Sequence, residues 1–193
     1  MGSRTTLDLD APAEVANWRP LVHWLLAIPH LIIAGALNSL GGALAFVSWF
    51  IILFTGELPE AIARLQCLVI RYQARTYCYV VWLQEPYPPF EFSMTEADPG
   101  GDSLSVGFDP QLSDRDRLTV GLRFIWILPI AIFYSFVLVA AYVVAVIGFF
   151  AVLFTGRWPD GLRKFLVGAM RLGVRVNVYA YLLDDDYPPF SLD

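Results

Sequence analysis

Charged residues are scarce in this chain. Its 193 residues include 13 Lys and Arg and 18 Asp and Glu, 16% in all, where soluble domains carry about 25%. Hydrophobic residues make up 57%, against about 45–50% in a soluble domain. An ordinary water-facing surface is therefore excluded for much of the chain. The net charge of -5 excludes a basic nucleic-acid-binding surface. Cysteine is nearly absent as well. Cys67 and Cys78 sit eleven positions apart, about 16 Å along one helix, beyond disulfide reach, and two cysteines are too few for a metal centre. No Ser/His/Asp spacing, glycine-rich phosphate loop or Cys/His metal pattern is present. The expectation is a protein without catalytic, cofactor-binding or metal-ligating residues. The first twenty residues lack the apolar stretch of a signal peptide. Met1-Gly2-Ser3-Arg4-Thr5-Thr6 fits the loose N-myristoylation pattern, but an acyl anchor adds little to a chain this apolar.

What the chain does contain is a duplication. Shifted by one hundred positions it falls on itself without a gap. Leu53-Phe54-Thr55-Gly56 falls on Leu153-Phe154-Thr155-Gly156, and Pro59 on Pro159. Arg71, Arg75 and Tyr79 fall on Arg171, Arg175 and Tyr179. Tyr87-Pro88-Pro89-Phe90 falls on Tyr187-Pro188-Pro189-Phe190, and Pro29 on Pro129.

Each unit opens on a long apolar run. Leu21 to Phe54 carries no charge except what His23 or His30 can take, and Phe124 to Phe154 carries none. A single membrane crossing needs about 20 residues, so each run is one long tilted helix or a tight hairpin of two. Asn38-Ser39-Leu40-Gly41-Gly42 supplies turn chemistry in the first unit, whereas the second offers only Tyr134-Ser135. Thr55-Gly56 and Thr155-Gly156 should stop these runs, with Pro59 and Pro159 starting the next helix. Glu60 and Asp160 then meet the positive end of its dipole.

The second helix, about 59–84 and 159–183, carries Arg64, Arg71 and Arg75, mirrored by Lys164, Arg171 and Arg175. These three positions fall within about 40° on a helix. A narrow basic stripe on an apolar cylinder suits the membrane interface, where it would meet lipid headgroups or a partner. A mid-bilayer arginine would instead cost about 2.5–3.5 kcal/mol on insertion scales. Charge bias decides between topologies. With one crossing per unit, Arg4, Arg19, Arg157, Arg163, Lys164, Arg171 and Arg175 face one side. Arg64, Arg71, Arg75, Arg115, Arg117 and Arg123 face the other, which is no bias. An even number of crossings per unit puts all of them on one side.

Residues 91–117 read as an acidic soluble connection. Leu104–Phe108 and Thr6–Asp10 both alternate ahead of a proline, and are expected to pair as a short β-ribbon outside the membrane. Tyr87–Phe90 and Tyr187–Phe190 read as helix stops with boundary aromatics. His23 and His30 share a helical face, but the second unit has Arg123 and Ile130 there, so a packing role is favoured over ligation. Asp184-Asp185-Asp186 reads as a solvated run.

Ile28-Pro29-His30-Leu31, Leu53-Phe54-Thr55-Gly56 with Pro59, Arg71 to Tyr79 and Tyr87-Pro88-Pro89-Phe90 together resemble domain-of-unknown-function family 4389. That resemblance implies a small bacterial plasma-membrane protein. It assigns no activity, and Leu128-Pro129-Ile130 departs from it by lacking the histidine. The expected architecture is an all-α membrane protein of two tandem repeats. It divides into a polar segment 1–20, a first repeat 21–90, the connection 91–117 and a second repeat 118–193. The expected role is an accessory or scaffolding subunit of a larger membrane complex, with membrane lipids, other subunits or a second copy as partners. The alternative is a lipid-organising wedge, and a small transporter or channel comes third.

Overall fold

The structure, a computed structural model, describes residues 5–193. The first four, and with them most of the myristoylation pattern and Arg4, lie outside the described residues. In chain order the elements are β1 (Thr5–Leu9), α1 (Arg19–Leu26), α2 (Ile28–Thr55) and α3 (Glu60–Val80). They continue with β2 (Leu104–Phe108), α4 (Arg117–Gly121), α5 (Arg123–Thr155) and α6 (Asp160–Ala180).

Neither apolar run is a hairpin: the second is one continuous helix, and the first is continuous from Ile28 onward. The 28 residues of α2 extend about 42 Å, and the 33 of α5 about 50 Å. The first unit breaks at Ala27, where Pro29 enters the first turn of α2 and removes a backbone donor. The supposed turn residues 38–42 do packing work instead. Asn38 Oδ1 accepts from Gln73 Nε2 at 3.1 Å and from the Tyr181 hydroxyl at 3.2 Å. Gly41 lies so close under the Tyr181 ring that a Cβ there would sit 2.8 Å from Cε2.

Both long helices end as the repeat predicts. Gly56 and Gly156 take φ of 78° and 67°, the left-handed cap that glycine adopts without steric cost. Pro59 and Pro159 sit immediately before α3 and α6. Those shorter helices do not run on to the Tyr-Pro-Pro-Phe motifs. They stop at Val80 and Ala180, and the stop is a left-handed Trp82 (φ 58°) or Leu182 (φ 61°). Leu83 N donates to the Cys78 carbonyl at 3.1 Å, and Leu183 N to the Val178 carbonyl at 3.0 Å, closing a Schellman cap without glycine.

The helices stack in layers. α3 and α6 lie side by side and antiparallel: Trp158 at the start of α6 donates from Nε1 to the Trp82 carbonyl beyond the end of α3. At the other end, Leu112 accepts from Leu58 N while Gln111 N donates to the Leu183 carbonyl. α2 packs on α3, and α5 on α6. β1 pairs antiparallel with β2 in the register Leu7↔Val106, and the ribbon lies over α6 and α3. A pseudo-twofold axis through the Leu7–Val106 pair relates the two units. The core is the middle layer: from Gln66 to Tyr79 every residue of α3 except Tyr77 is buried.

Candidate functional site

Two faces of this stack differ in chemistry. On one, α2 and α5 bury a single stripe: Ala27, His30, Ala34, Gly41, Ser48 and Ile52 for the first unit. Only 17% of the most apolar window of each long helix is buried inside the protein. The outward sides carry Ile32, Phe46, Phe54, Phe136, Val139 and Phe154, all more than half exposed. Soluble monomers rarely expose contiguous apolar area beyond a few hundred Å². Both helices are long and apolar enough to cross a membrane.

On the other face Arg71 and Arg75 are turned inward, which corrects the reading of these two as contacts to headgroups. Arg71 is buried: Nε donates to the Val106 carbonyl at 3.1 Å, and Nη2 to the carbonyls of Thr95, Glu96 and Ala97 at 2.9–3.1 Å. Arg75, equally buried, donates to the Leu104 carbonyl at 3.2 Å and to Asp98 at 2.7 Å. Asp98 also accepts the Val106 N–H at 2.7 Å. These bonds satisfy the outward backbone groups of β2, which an uncovered ribbon edge would leave unpaired. Arg171 does the same for β1 through the Leu7 carbonyl at 3.0 Å, and Arg175 holds the chain end at Ser191 and Asp193. Only Arg64 and Lys164 stay exposed, and Arg64 pairs with Glu60 and Glu96. The stripe selects the acidic connection rather than phosphates because the ribbon offers carbonyls at helical spacing.

His23 and His30 are wholly buried. His23 stacks on Tyr79 at 4.0 Å and donates from Nδ1 to the Tyr79 carbonyl at 3.0 Å. Burial holds its pKa below the ordinary value, outweighing that hydrogen bond, which favours the charged ring. Arg123 takes the equivalent place, its guanidinium 3.7 Å above the Tyr179 ring. The scaffold thus needs that position filled, though not by histidine. His30 shares a 2.8 Å hydrogen bond with the Tyr72 hydroxyl and is boxed by Tyr87 and Phe90. Tyr87-Pro88-Pro89-Phe90 is therefore a lid over His30, while Phe190 packs on Phe133.

The aspartate run is not simply solvated. Asp185 takes both guanidinium arms of Arg115, at 2.6 and 2.8 Å, and Arg123 at 2.5 Å. Burial opposes its charge, but the two arginines outweigh that and hold its pKa low. Glu85 is its counterpart: it accepts the Ala16 N–H as Asp185 accepts that of Asp116. An acid at the same offset in both units was the signal for this pin, and the triple aspartate obscured it. Cys67 and Cys78 are free and buried, with the Cys67 thiol pushed up to about 12 by burial, so both are inert. Among the described residues, no group of three or more His, Cys, Asp or Glu could hold a metal ion.

Between α3, α5 and α6 lies a groove of about 520 Å³. Ile70, Tyr77, Val81, Tyr134, Tyr142 and Met170 are among its walls, and no charged residue lines it. No periodicity in the sequence marks it, because it arises where the two units differ.

A family model described as Domain of unknown function (DUF4389) matches the chain twice, over residues 17–91 and 117–191. No curated protein and no solved structure matches the chain.

Proposed function

The chain belongs to the family Domain of unknown function (DUF4389), and on that premise we propose a non-catalytic protein embedded in one leaflet of a membrane. Its long helices lie along the bilayer, and it acts as a wedge that organises the lipids around it. The observation that carries this reading is the ribbon. β1 and β2 form a sheet of two strands, which therefore has two edges, and it lies beside the middle of α3 at Arg71. Were α2 to stand across the bilayer, the ribbon, Asp98 and exposed Asp8 would sit at membrane depth. The ribbon's edges are closed by the charged side chains of Arg71, Arg75, Asp98 and Arg171, and charged side chains at the bilayer centre cost about 2.5–3.5 kcal/mol each on insertion scales. Laid flat, the same protein puts the exposed sides of α2 and α5 in the acyl region and the ribbon in water. The pairing of β1 with β2 also keeps residues 5–9 and 104–108 on one side, in keeping with an even number of crossings per unit.

Cysteine accessibility tests the orientation. With Cys67 and Cys78 replaced, single cysteines at Glu14 and Glu57 mark opposite ends of α2 together with α1. Labelling of both from the same side of sealed vesicles is the expected result; labelling from opposite sides overturns it. The wedge itself is tested by reconstitution, since vesicles whose diameter is unchanged at high protein load refute it. An accessory-subunit role is the second reading, supported by the same exposed face, which a partner helix could cover in place of lipid. Recovery as a lone monomer from gently solubilised native membranes would count against it.

A further inference from the structure

We propose that the groove between α3, α5 and α6 holds a single lipid acyl chain, one per protein despite the two units. The proposal rests on the membrane-embedded reading above and adds a defined lipid site to it. The groove exists because the pseudo-twofold symmetry is broken at one pair of positions. In one half, the Tyr181 ring presses onto Gly41 and fills the space between helices. The equivalents are Val81 and Ala141, both lining the groove. A phenol is replaced by an isopropyl group, and nothing else fills the difference. Gly173, where the other unit has Gln73, gives its side-chain space to Tyr134, whose hydroxyl lies against it and whose ring lines the groove.

Three features select the occupant. First, no Asp, Glu, Lys, Arg or His lines the groove, so it offers no charge to a phosphate, a carboxylate or a charged peptide. Of its three amide side chains, Gln73 already donates to Asn38, which leaves Asn177. Second, its mouth is formed by Tyr77, Leu138 and Tyr142, which are 52%, 47% and 74% exposed. Leu138 and Tyr142 lie on α5, whose outward side meets lipid, so the groove opens where acyl chains already are. Third, its size fits a thin chain. At about 520 Å³ it lies within the range of about 300–1,000 Å³ typical of small-molecule sites. A helix with its side chains is about 10–12 Å across, so a single turn occupies on the order of 500 Å³, and a partner helix has no room for a second turn. An acyl chain also needs no hydrogen-bond partners along its length, which matches walls made mostly of aliphatic and ring carbon.

The experiment uses the full chain in vesicles of phosphatidylglycerol and phosphatidylethanolamine, doped with a phosphatidylcholine carrying a diazirine midway along one acyl chain. After irradiation, adducts are mapped by peptide mass spectrometry. Adducts on Tyr77, Tyr134 or Met170, at no more than one per protein, are expected alongside scattered adducts around Phe54 and Phe154. Val81→Tyr should reduce the groove adducts to background and leave those at Phe54 and Phe154 unchanged. Ala141→Leu fills the same space from α5 and should do likewise, with thermal melting confirming that each variant folds. Adducts on the outer surfaces alone, or groove adducts unchanged by both variants, overturn the acyl-chain site while leaving the embedded orientation standing. Adducts nowhere on the protein overturn both. A groove filled by a second copy would exclude the probe, leaving Tyr77, Tyr134 and Met170 without adducts while the outer surfaces keep theirs, which overturns the acyl-chain site.

Discussion

Arg71 and Arg171 occupy one position of the repeat, yet their replacement by methionine should have very different consequences. Arg71→Met keeps an apolar stem but removes four hydrogen bonds to the carbonyls of Val106, Thr95, Glu96 and Ala97. Three of these lie on the partly exposed connection, where water can take over. The Val106 carbonyl is sealed, and Asp98 loses one of its two guanidinium neighbours, keeping Arg75 at 2.7 Å. Losing charge-assisted bonds to one buried acceptor and to a half-paired carboxylate amounts to about 3 kcal/mol. Arg171 has a side chain 35% exposed, one carbonyl partner at 3.0 Å and Asp8 only at 3.9 Å. Its ion pair contributes little in water, so Arg171→Met should cost about 1 kcal/mol. For a protein of this length each kcal/mol moves the Tm by about 2–4 °C, giving drops of about 6–12 °C and 2–4 °C respectively. Tryptophan-fluorescence melting in mild detergent reads both, since Trp158 lies buried in the core. Proteolysis in the connection 91–103 should accelerate in the first variant only. Equal shifts, or a larger one for Arg171→Met, would refute the assignment of the ribbon edge to Arg71.

Three more outcomes follow from the same geometry. Asp185→Asn should lower stability by about 3–5 kcal/mol, because Arg115 and Arg123, with side chains 0% and 4% exposed, lose the carboxylate they share; a melt within 2 °C of the parent would argue otherwise. Gly41→Ala should cost about 1–3 kcal/mol by pressing on the Tyr181 ring. Tyr181→Val should restore the loss in the double variant, and failure of that rescue would place the strain elsewhere. Stability should also depend on pH through His23, whose folded pKa is depressed by burial. Its contribution is complete above the unfolded value of about 6.5 and is lost as pH falls through the folded one. Asp185, also depressed, adds its loss only below the ordinary carboxylate value of about 3.9. His23→Phe should flatten the upper phase of a Tm-against-pH curve and leave the lower one; an unchanged upper phase would exclude His23 as its source.

The duplication, the glycine caps and the alternation of the two strands were all legible in the chain, because each is a local pattern or a repeated one. The destination of the arginines was not. Helical spacing places Arg64, Arg71 and Arg75 on one face but does not say whether phosphate or peptide carbonyls meet it. Here the acceptors come from residues 95–106, which no periodicity ties to α3. Asn38 to Gly42 misled for a related reason: small and polar residues serve a turn or a close approach equally well, and Tyr181 decides which. The Tyr-Pro-Pro-Phe motifs do interrupt helix, but left-handed residues 82 and 182 stop it first, a conformation that neither Trp nor Leu announces. The groove was out of reach altogether, since it is defined by what Val81 fails to fill.

The ribbon bears on how the chain is made. Leu7 finds its partner at Val106, so the amino-terminal strand leaves the ribosome with nothing to pair against until the whole first unit has followed it. During that interval it must wait in the same compartment in which the connection will emerge, because separating the two would forbid the pairing. The first unit cannot finish folding by itself; it is completed by the opening strand of the second. A chain with only one unit would have a strand and an arginine but no matching edge, and could close the ribbon only across a true twofold axis with another molecule. Fusing two units on one polypeptide turns that concentration-dependent encounter into an intramolecular one, and leaves the two halves free to diverge where Tyr181 and Val81 now differ.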